Sequence, residues 1–495
     1  MKSGEGKLVS IKLNFVLHAL RVFSTALITL FTMPYLNRVL EADNVGKVEY
    51  AYTIINYFVL FSSIGIPMYG IREVSKARND PKKLYTLVSE LMVILSITTI
   101  ASYILIFGII IHLDFLSSYK NLLYIMSFLV ILNNIGADWY FQGIENQKFL
   151  TIRNVVVRSL IFGLLFILVK KKSDYDVYAL LFVLMLFGAN VINFVVILKR
   201  IISHKIKFQD LHLKKHLKPV FAIFVATISV NIYLQLDNFL IGSISGDRYV
   251  AYYGIANKLI RFVITFITII GSVMLPRLSY LHHNDKLQYA VLLKKGFHVM
   301  MLLAIPSTIY FLIFSKEIIL FMGGKDFMVA DVTMKILSPL CIIVSFAYFF
   351  GFLILYPQGK EKIYTFATIV SALLSVLLNY FAIKNFQQNG AAAVAILVES
   401  VAIGIMFYYI RKENDFSEFF DRNFFNVVFV NGIVMIVVLA GKYFLENNSY
   451  FEWMVMSLLF VVTYAAVLVL IKEKNTLEIL NQIKLKKGQK KQSNI

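Results

Sequence analysis

Apolar residues in this chain come in unbroken runs of about twenty, parted by short charged connections, and neither strict alternation nor a one-sided stripe dominates. Runs that are apolar on every side predict helices surrounded by lipid or by other helices. Fourteen such runs are read, at about 13–36, 46–69, 86–111, 119–140, 153–170, 176–198, 218–243, 250–275, 296–315, 333–356, 362–383, 390–410, 426–445 and 450–471. A barrel would need short alternating segments, so the runs predict helices instead.

Lys and Arg concentrate in alternate connections, the most basic being REVSKARNDPKK (Arg72 to Lys83) and KRIISHKIKFQDLHLKKHLK (Lys199 to Lys218). By the positive-inside bias, the even-numbered connections and both termini are expected in the cytoplasm. Of the 495 residues, 59% are hydrophobic and 16% charged, which leaves little for a soluble domain. The formal net charge of +20 then reports topology and attraction to lipid headgroups, and nucleic acid is not expected as a partner. Cys341 is the single cysteine, so no internal disulfide can form. Lys2, Lys7 and Lys12 lead into a first run that holds His18 and Arg21 and lacks a small-residue cleavage signature, which predicts a retained helix.

The second basic connection divides the chain. Expected are an N-lobe over 1–198, a linker over 199–217, a C-lobe over 218–410, two further helices over 411–471 and a basic tail over 472–495. VGKVEYAYTIINYF from Val45 is echoed by VAYYGIANKLIRF from Val250, each opening the second helix of a six-helix half. Parallel repeats of this kind build transporters whose substrate site lies between the halves. The expected fold is therefore an all-α integral membrane protein of about 14 transmembrane helices. Two six-helix lobes would surround a central cavity, with two C-terminal helices added.

Charges inside the runs carry the candidate chemistry, because a lone Asp, Lys or Arg at a helix centre costs roughly 2.5–3.5 kcal/mol on insertion scales. Lys258 and Arg261 are three apart and share a helix face. Either Asp237 neutralises Lys258 while Arg261 snorkels to an interface, or the pair forms a cationic wall that receives an anionic group. His18 and Arg21 likewise share a face of the first helix, and Arg21 either snorkels or lines the cavity. Arg158 requires Asp138 as partner or the cavity itself. Glu399, near the middle of the twelfth run, is either protonated or paired, or serves proton or sodium coupling. Trp139, Tyr140 and Phe141 suit an interfacial anchor. Pro34, Pro67, Pro276 and Pro339 mark bend points or helix ends.

MPYLNRVLEADNVGKVEYAYTIINYFVLFSSIGIPMYGIREVSKAR (Met33 to Arg78) closely resembles the N-terminal signature of bacterial polysaccharide flippases. These are the Wzx-type O-antigen and capsule repeat-unit transporters, of one superfamily with the MATE multidrug exporters and the peptidoglycan-lipid flippases. ADWYFQGIENQKFLTIRN (Ala137 to Asn154), QLDNFLIG (Gln235 to Gly242) followed by YYGIANKLI, and LPRLS (Leu275 to Ser279) are similar to further signatures of that family, and YPQGKEK at Tyr356 also fits. The resemblance implies a carrier of undecaprenyl-pyrophosphate-linked oligosaccharide that works by alternating access, coupled to H⁺ or Na⁺, among membrane lipids and beside polysaccharide polymerase machinery. It implies Arg21, Arg158, Lys258 and Arg261 at the headgroup, with Asp237 in support and Glu399 and His18 as further supporting or ion-coupling groups. No cofactor or metal is expected.

A multidrug cation antiporter of the same superfold would want carboxylates and aromatics where this chain has Arg and Lys. A membrane glycosyltransferase or polymerase would carry an acid/base or metal constellation on sizeable outer loops. The outer loops here are short, and HLD at His112 and HHND at His282 are isolated. A passive scaffold would leave the intramembrane charges without purpose.

Overall fold

The computed structural model describes residues 11–204, 206, 209, 211–412, 416–444, 450–473 and 475–477; the side chains of 11–20, 22, 23, 25, 26, 226–234 and 444 lie outside the description. The regular structure there is helical throughout. In order the helices are α1 (Ile11–Ser63), α2 (Ile66–Ala77), α3 (Pro81–Gly108), α4 (Lys120–Gly136), α5 (Asp138–Gly143), α6 (Gln147–Leu168), α7 (Tyr175–Phe187) and α8 (Asn190–Ser203). They continue as α9 (Lys214–Ile244), α10 (Asp247–Asn284), α11 (Lys286–Gly323), α12 (Ala330–Leu337), α13 (Leu340–Tyr348), α14 (Glu361–Ile410), α15 (Arg422–Phe444) and α16 (Tyr450–Leu470). The chain divides into two compact units, Met1–Ala251 and Tyr252–Ile495.

Two helices are too long for one crossing. The 53 residues of α1 would extend about 80 Å as a straight helix, against about 30 Å of hydrocarbon. Glu41, with φ 60° and ψ 172°, breaks it. The break thus falls seven residues beyond Pro34, the bend point expected from sequence, because a left-handed residue interrupts a helix more sharply than proline, which keeps a helical φ. In the 50-residue α14 the break is at Gln387, φ 47°. A Cβ placed on Gly390 would stand 2.2 Å from the Ala382 carbonyl oxygen, an approach that a straight helix forbids, so the chain reverses there. Pro67 opens α2 directly after Gly65 (φ 77°), a helix start and not a kink. Among the described residues, ten helices are long and apolar enough to cross a membrane, or eleven if α7 and α8, bent by 46°, form one span.

In the first unit α1 packs on α3, α4, α6 and α9, and α2 lies across α5. Gly70 makes that crossing close: a Cβ there would meet the Trp139 ring at 2.6 Å. Trp139, Tyr140 and Phe141 are buried with Tyr69, Tyr85, Leu91 and Leu150. They are core residues, which corrects their expected role as interfacial anchors; the short α5 turns all three inward.

Glu90 ties α3 to the start of α9. It is wholly buried, and its Oε1 accepts from the His212 backbone N–H at 2.7 Å and from Lys215 Nζ at 2.9 Å. Oε2 accepts from Nε2 of buried His216 at 2.8 Å, and the other ring nitrogen meets the Tyr69 hydroxyl at 2.8 Å. One carboxylate therefore faces three donors, and each of its oxygens is engaged. At the far end of α9 the same unit closes again: Tyr50 meets Ser243 at 2.8 Å, Tyr119 donates to Asp247 at 2.6 Å, and Arg248 grips Asp43 through two nitrogens at 2.6 and 3.2 Å.

The core of the second unit joins Leu278 and Leu281 of α10, Phe297 and Met300 of α11, Met406 of α14 and the π-helical turn Phe349–Leu355. Cys341 is buried. Asp421 caps α15 through the Phe424 N–H at 3.1 Å and binds Lys294 at 2.9 Å and His298 at 3.0 Å. Partial burial works against the charge of Asp421, but the Lys294 ammonium, the Phe424 N–H and His298 together outweigh it and hold the carboxyl below its usual range.

Replacing Glu90 by Ala should cost about 3 kcal/mol, the low end for removing one partner of a buried ion pair because half-exposed Lys215 regains water. Thermal unfolding of purified protein in detergent measures this, and an unchanged midpoint would show that the node holds nothing together.

Candidate functional site

Four charged side chains meet inside the first unit. α4 ends at Gly136, and Ala137, in the left-handed region at φ 41°, turns the chain so that Asp138 opens α5. A second left-handed residue, Glu145 (φ 60°), and the Asn146 side chain, which accepts from the Phe149 N–H, then start α6. This double turn brings Arg153 back onto Asp138, whose Oδ1 it binds tightly, and Arg21 of α1 approaches Oδ2 at 3.7 Å. Arg158, further along α6, feels the charges of both other arginines and of Asp138. Its Nε donates to the Met185 carbonyl at 3.1 Å, just before the bend between α7 and α8.

Two amides hold the arrangement. Asn190 and Asn193 share a face of α8, and a Cβ on Gly136 would overlap Asn190, so α4 and α8 touch here. Asn190 accepts from Arg153 at 3.0 Å and donates to the Leu132 carbonyl at 2.9 Å. Asn193 donates to Asp138 at 2.8 Å and to the Gly136 carbonyl at 2.5 Å. Arg153 is 4% exposed and Arg21 12%, whereas Asp138 is 36% exposed, so these two cations are more deeply buried than the carboxylate. Nε of Arg153 and one terminal nitrogen of Arg158 are buried and meet no acceptor.

Two guanidiniums thus contact one carboxylate, and a third stands within electrostatic reach of it. Arginine stays charged in proteins, and like charges about 7 Å apart repel by roughly 2 kcal/mol at an effective dielectric near 20. The unmet nitrogens of Arg153 and Arg158 want acceptor oxygens, and a phosphate supplies these in the geometry that guanidinium forks match.

The remaining expected residues stand elsewhere. Lys258 and Arg261 lie one turn apart on α10 in the second unit, where Arg261 Nε donates to Asn257 at 2.9 Å and Lys258 is exposed. Asp237, on α9, is close enough to Tyr57 of α1 to act on it electrostatically. Glu399 is half-buried on α14 and acts in the same way on Tyr364. The His18 side chain lies outside the described residues. Arg153, Asn190 and Asn193 escaped the sequence reading as site residues. Their signal was present: GANVINF places two amides three apart in an apolar run, where polar groups are expensive.

A groove of about 900 Å³ opens beside Glu90, but its lysines are largely matched: Lys76 with Glu73, Lys83 with Asp80 and Lys215 with Glu90. Among the described residues, no group of three His, Cys, Asp or Glu could hold a metal ion.

Comparison with known proteins adds the following. The profile of the family described as polysaccharide biosynthesis protein matches residues 11–282, and that described as lipid II flippase MurJ matches 151–464. A candidate O-antigen transporter of Escherichia coli (strain K12) is 24% identical over 414 residues, 82% of this chain and 97% of the relative. A structure of the lipid II flippase MurJ in an inward closed conformation superposes with a TM-score of 0.72 at 14% identity, covering 92% of this chain and 98% of that one. An inward-facing MATE family multidrug resistance transporter gives 0.59 at 10% identity over 80% and 97%. The fold is that of these multi-pass, all-α membrane proteins.

Asn190→Leu leaves Arg153 without its neutral acceptor and should cost about 1–3 kcal/mol, read as a lowered unfolding midpoint in detergent. Asn at this position has no structural role if the midpoint stays put.

Proposed function

Because the chain belongs to the polysaccharide biosynthesis protein family, we propose that it is a flippase of lipid-linked oligosaccharide repeat units for surface polysaccharide, acting in a bacterial cytoplasmic membrane. It is a transporter and not an enzyme: the task is to carry a charged, hydrated headgroup across hydrocarbon, and no bond need be made or broken. Uncompensated, a phosphate in that medium is prohibitively costly, and a cationic site removes most of the barrier.

The observation that carries this reading is the gathering of Arg21, Arg153 and Arg158 around Asp138, with buried nitrogens of Arg153 and Arg158 that meet no acceptor. We assign Arg21 and Arg158, together with Lys258 and Arg261 of the second unit, to the diphosphate of an undecaprenyl-linked substrate, with Asp237 in support. Fourteen crossings, arranged as two six-helix lobes and two C-terminal helices with both termini in the cytoplasm, complete the proposal. The breaks at Glu41 and Gln387 support that count by dividing each long helix into two segments. Coupling to H⁺ or Na⁺ would fall to Glu399 or His18, and polysaccharide polymerase machinery would receive the product. The multidrug antiporter shares the fold, but a cation would be repelled by the arginine cluster, which favours the anionic cargo.

Arg21→Ala and Lys258→Ala should each abolish polymer at the cell surface while the protein remains inserted. Wild-type polymer from both variants would remove the site assignment. Purified protein in liposomes should move a lipid-diphosphate oligosaccharide; drug-stimulated proton exchange in its place would favour the antiporter.

A further inference from the structure

We propose that Asp138 is the resident anion of the arginine cluster: it occupies the place of the substrate phosphate in the empty carrier, yields it on loading, and reclaims it to expel the headgroup. The inference rests on the reading of the cluster as a diphosphate site.

Carboxylate and phosphate compete for the same donors, since both accept paired N–H bonds from guanidinium. Asp138 is placed to do so reversibly. It is the most exposed member of the cluster, whereas Arg153 and Arg21 are buried beneath it. Its hold is uneven: Arg153 binds it closely, but Arg21 at 3.7 Å makes only a charge contact, beyond hydrogen-bond range. Asn193, its neutral partner, already donates to the Gly136 carbonyl and is not orphaned when the carboxylate leaves. Asp138 is the first residue of its helix, so its carboxylate can swing away by side-chain rotation while Trp139, Tyr140 and Phe141 stay seated in the core.

The arginines in turn have more to gain from phosphate than from Asp138. Arg153 Nε and an Arg158 terminal nitrogen are buried and lack acceptors, and neither oxygen of Asp138 reaches them. A diphosphate brings more oxygens and more charge. The exchange also answers a problem of every carrier, which must return empty. With Asp138 back in place, the unloaded cluster has a counter-ion for the return step, and the carboxylate competes with the product for the arginines it must leave.

The test is Asp138→Asn in full-length protein in nanodiscs, with farnesyl diphosphate as probe, inorganic diphosphate as the tail-free arm, and flipping of a lipid-diphosphate oligosaccharide measured in liposomes. The variant should bind both probes at least tenfold more tightly, complete a first round of flipping, and lose at least tenfold in sustained turnover. A residue that only positions the arginines would weaken binding and turnover together, so equal or weaker binding by the variant overturns the proposal. Asn193→Ala, which loosens Asp138 without touching the cations, should tighten the probes about threefold and decides the matter if Asp138→Asn fails to fold. Should wild type bind neither probe, the diphosphate reading falls and this inference with it; binding without tightening in the variants sinks this inference alone.

Discussion

A guanidinium keeps its charge wherever the fold puts it, and in an apolar slab that charge must be answered by an anion or by water. The first unit is arranged around this demand. Arg153 and Arg21 converge on Asp138 through two left-handed turns in the chain, and Asn190 and Asn193 of α8 add neutral hydrogen bonds to Arg153 and Asp138. The bend between α7 and α8 then brings the Met185 carbonyl to Arg158. Irregular backbone at membrane depth is tolerated where it is buried in protein or lines a wet site, and here it coincides with the charges.

Glu90 shows what a settled ion pair looks like in the same unit. It is fully buried, each oxygen is engaged, and its donors come from a single neighbouring segment. Asp138 is the reverse: partly open, and beside donors with nothing to bind. Both are carboxylates among basic residues, but the donors around Glu90 are engaged, whereas buried nitrogens of Arg153 and Arg158 beside Asp138 have no acceptor.

Much of this was legible in the chain. The apolar runs predict the helices closely, since twenty residues without charge admit few other structures in lipid. The reversals were less legible, because a break at Glu41 or Gln387 depends on a backbone angle that no residue type there advertises. Trp139, Tyr140 and Phe141 looked like interface residues because aromatic clusters at helix ends usually are; only the packing of α5 against α2 turns them inward. Arg158 drew attention and Arg153 did not, since Arg153 stands nearer the end of its run, where a long side chain has an escape to water. The fold denies that escape by closing α8 over it.

The reversal at Gln387 joins two membrane-length segments with almost no chain to spare, Gly390 lying against the backbone of Ala382. A turn this short leaves the two segments little freedom to slide past each other at that end, since a shift would press Gly390 into the Ala382 backbone.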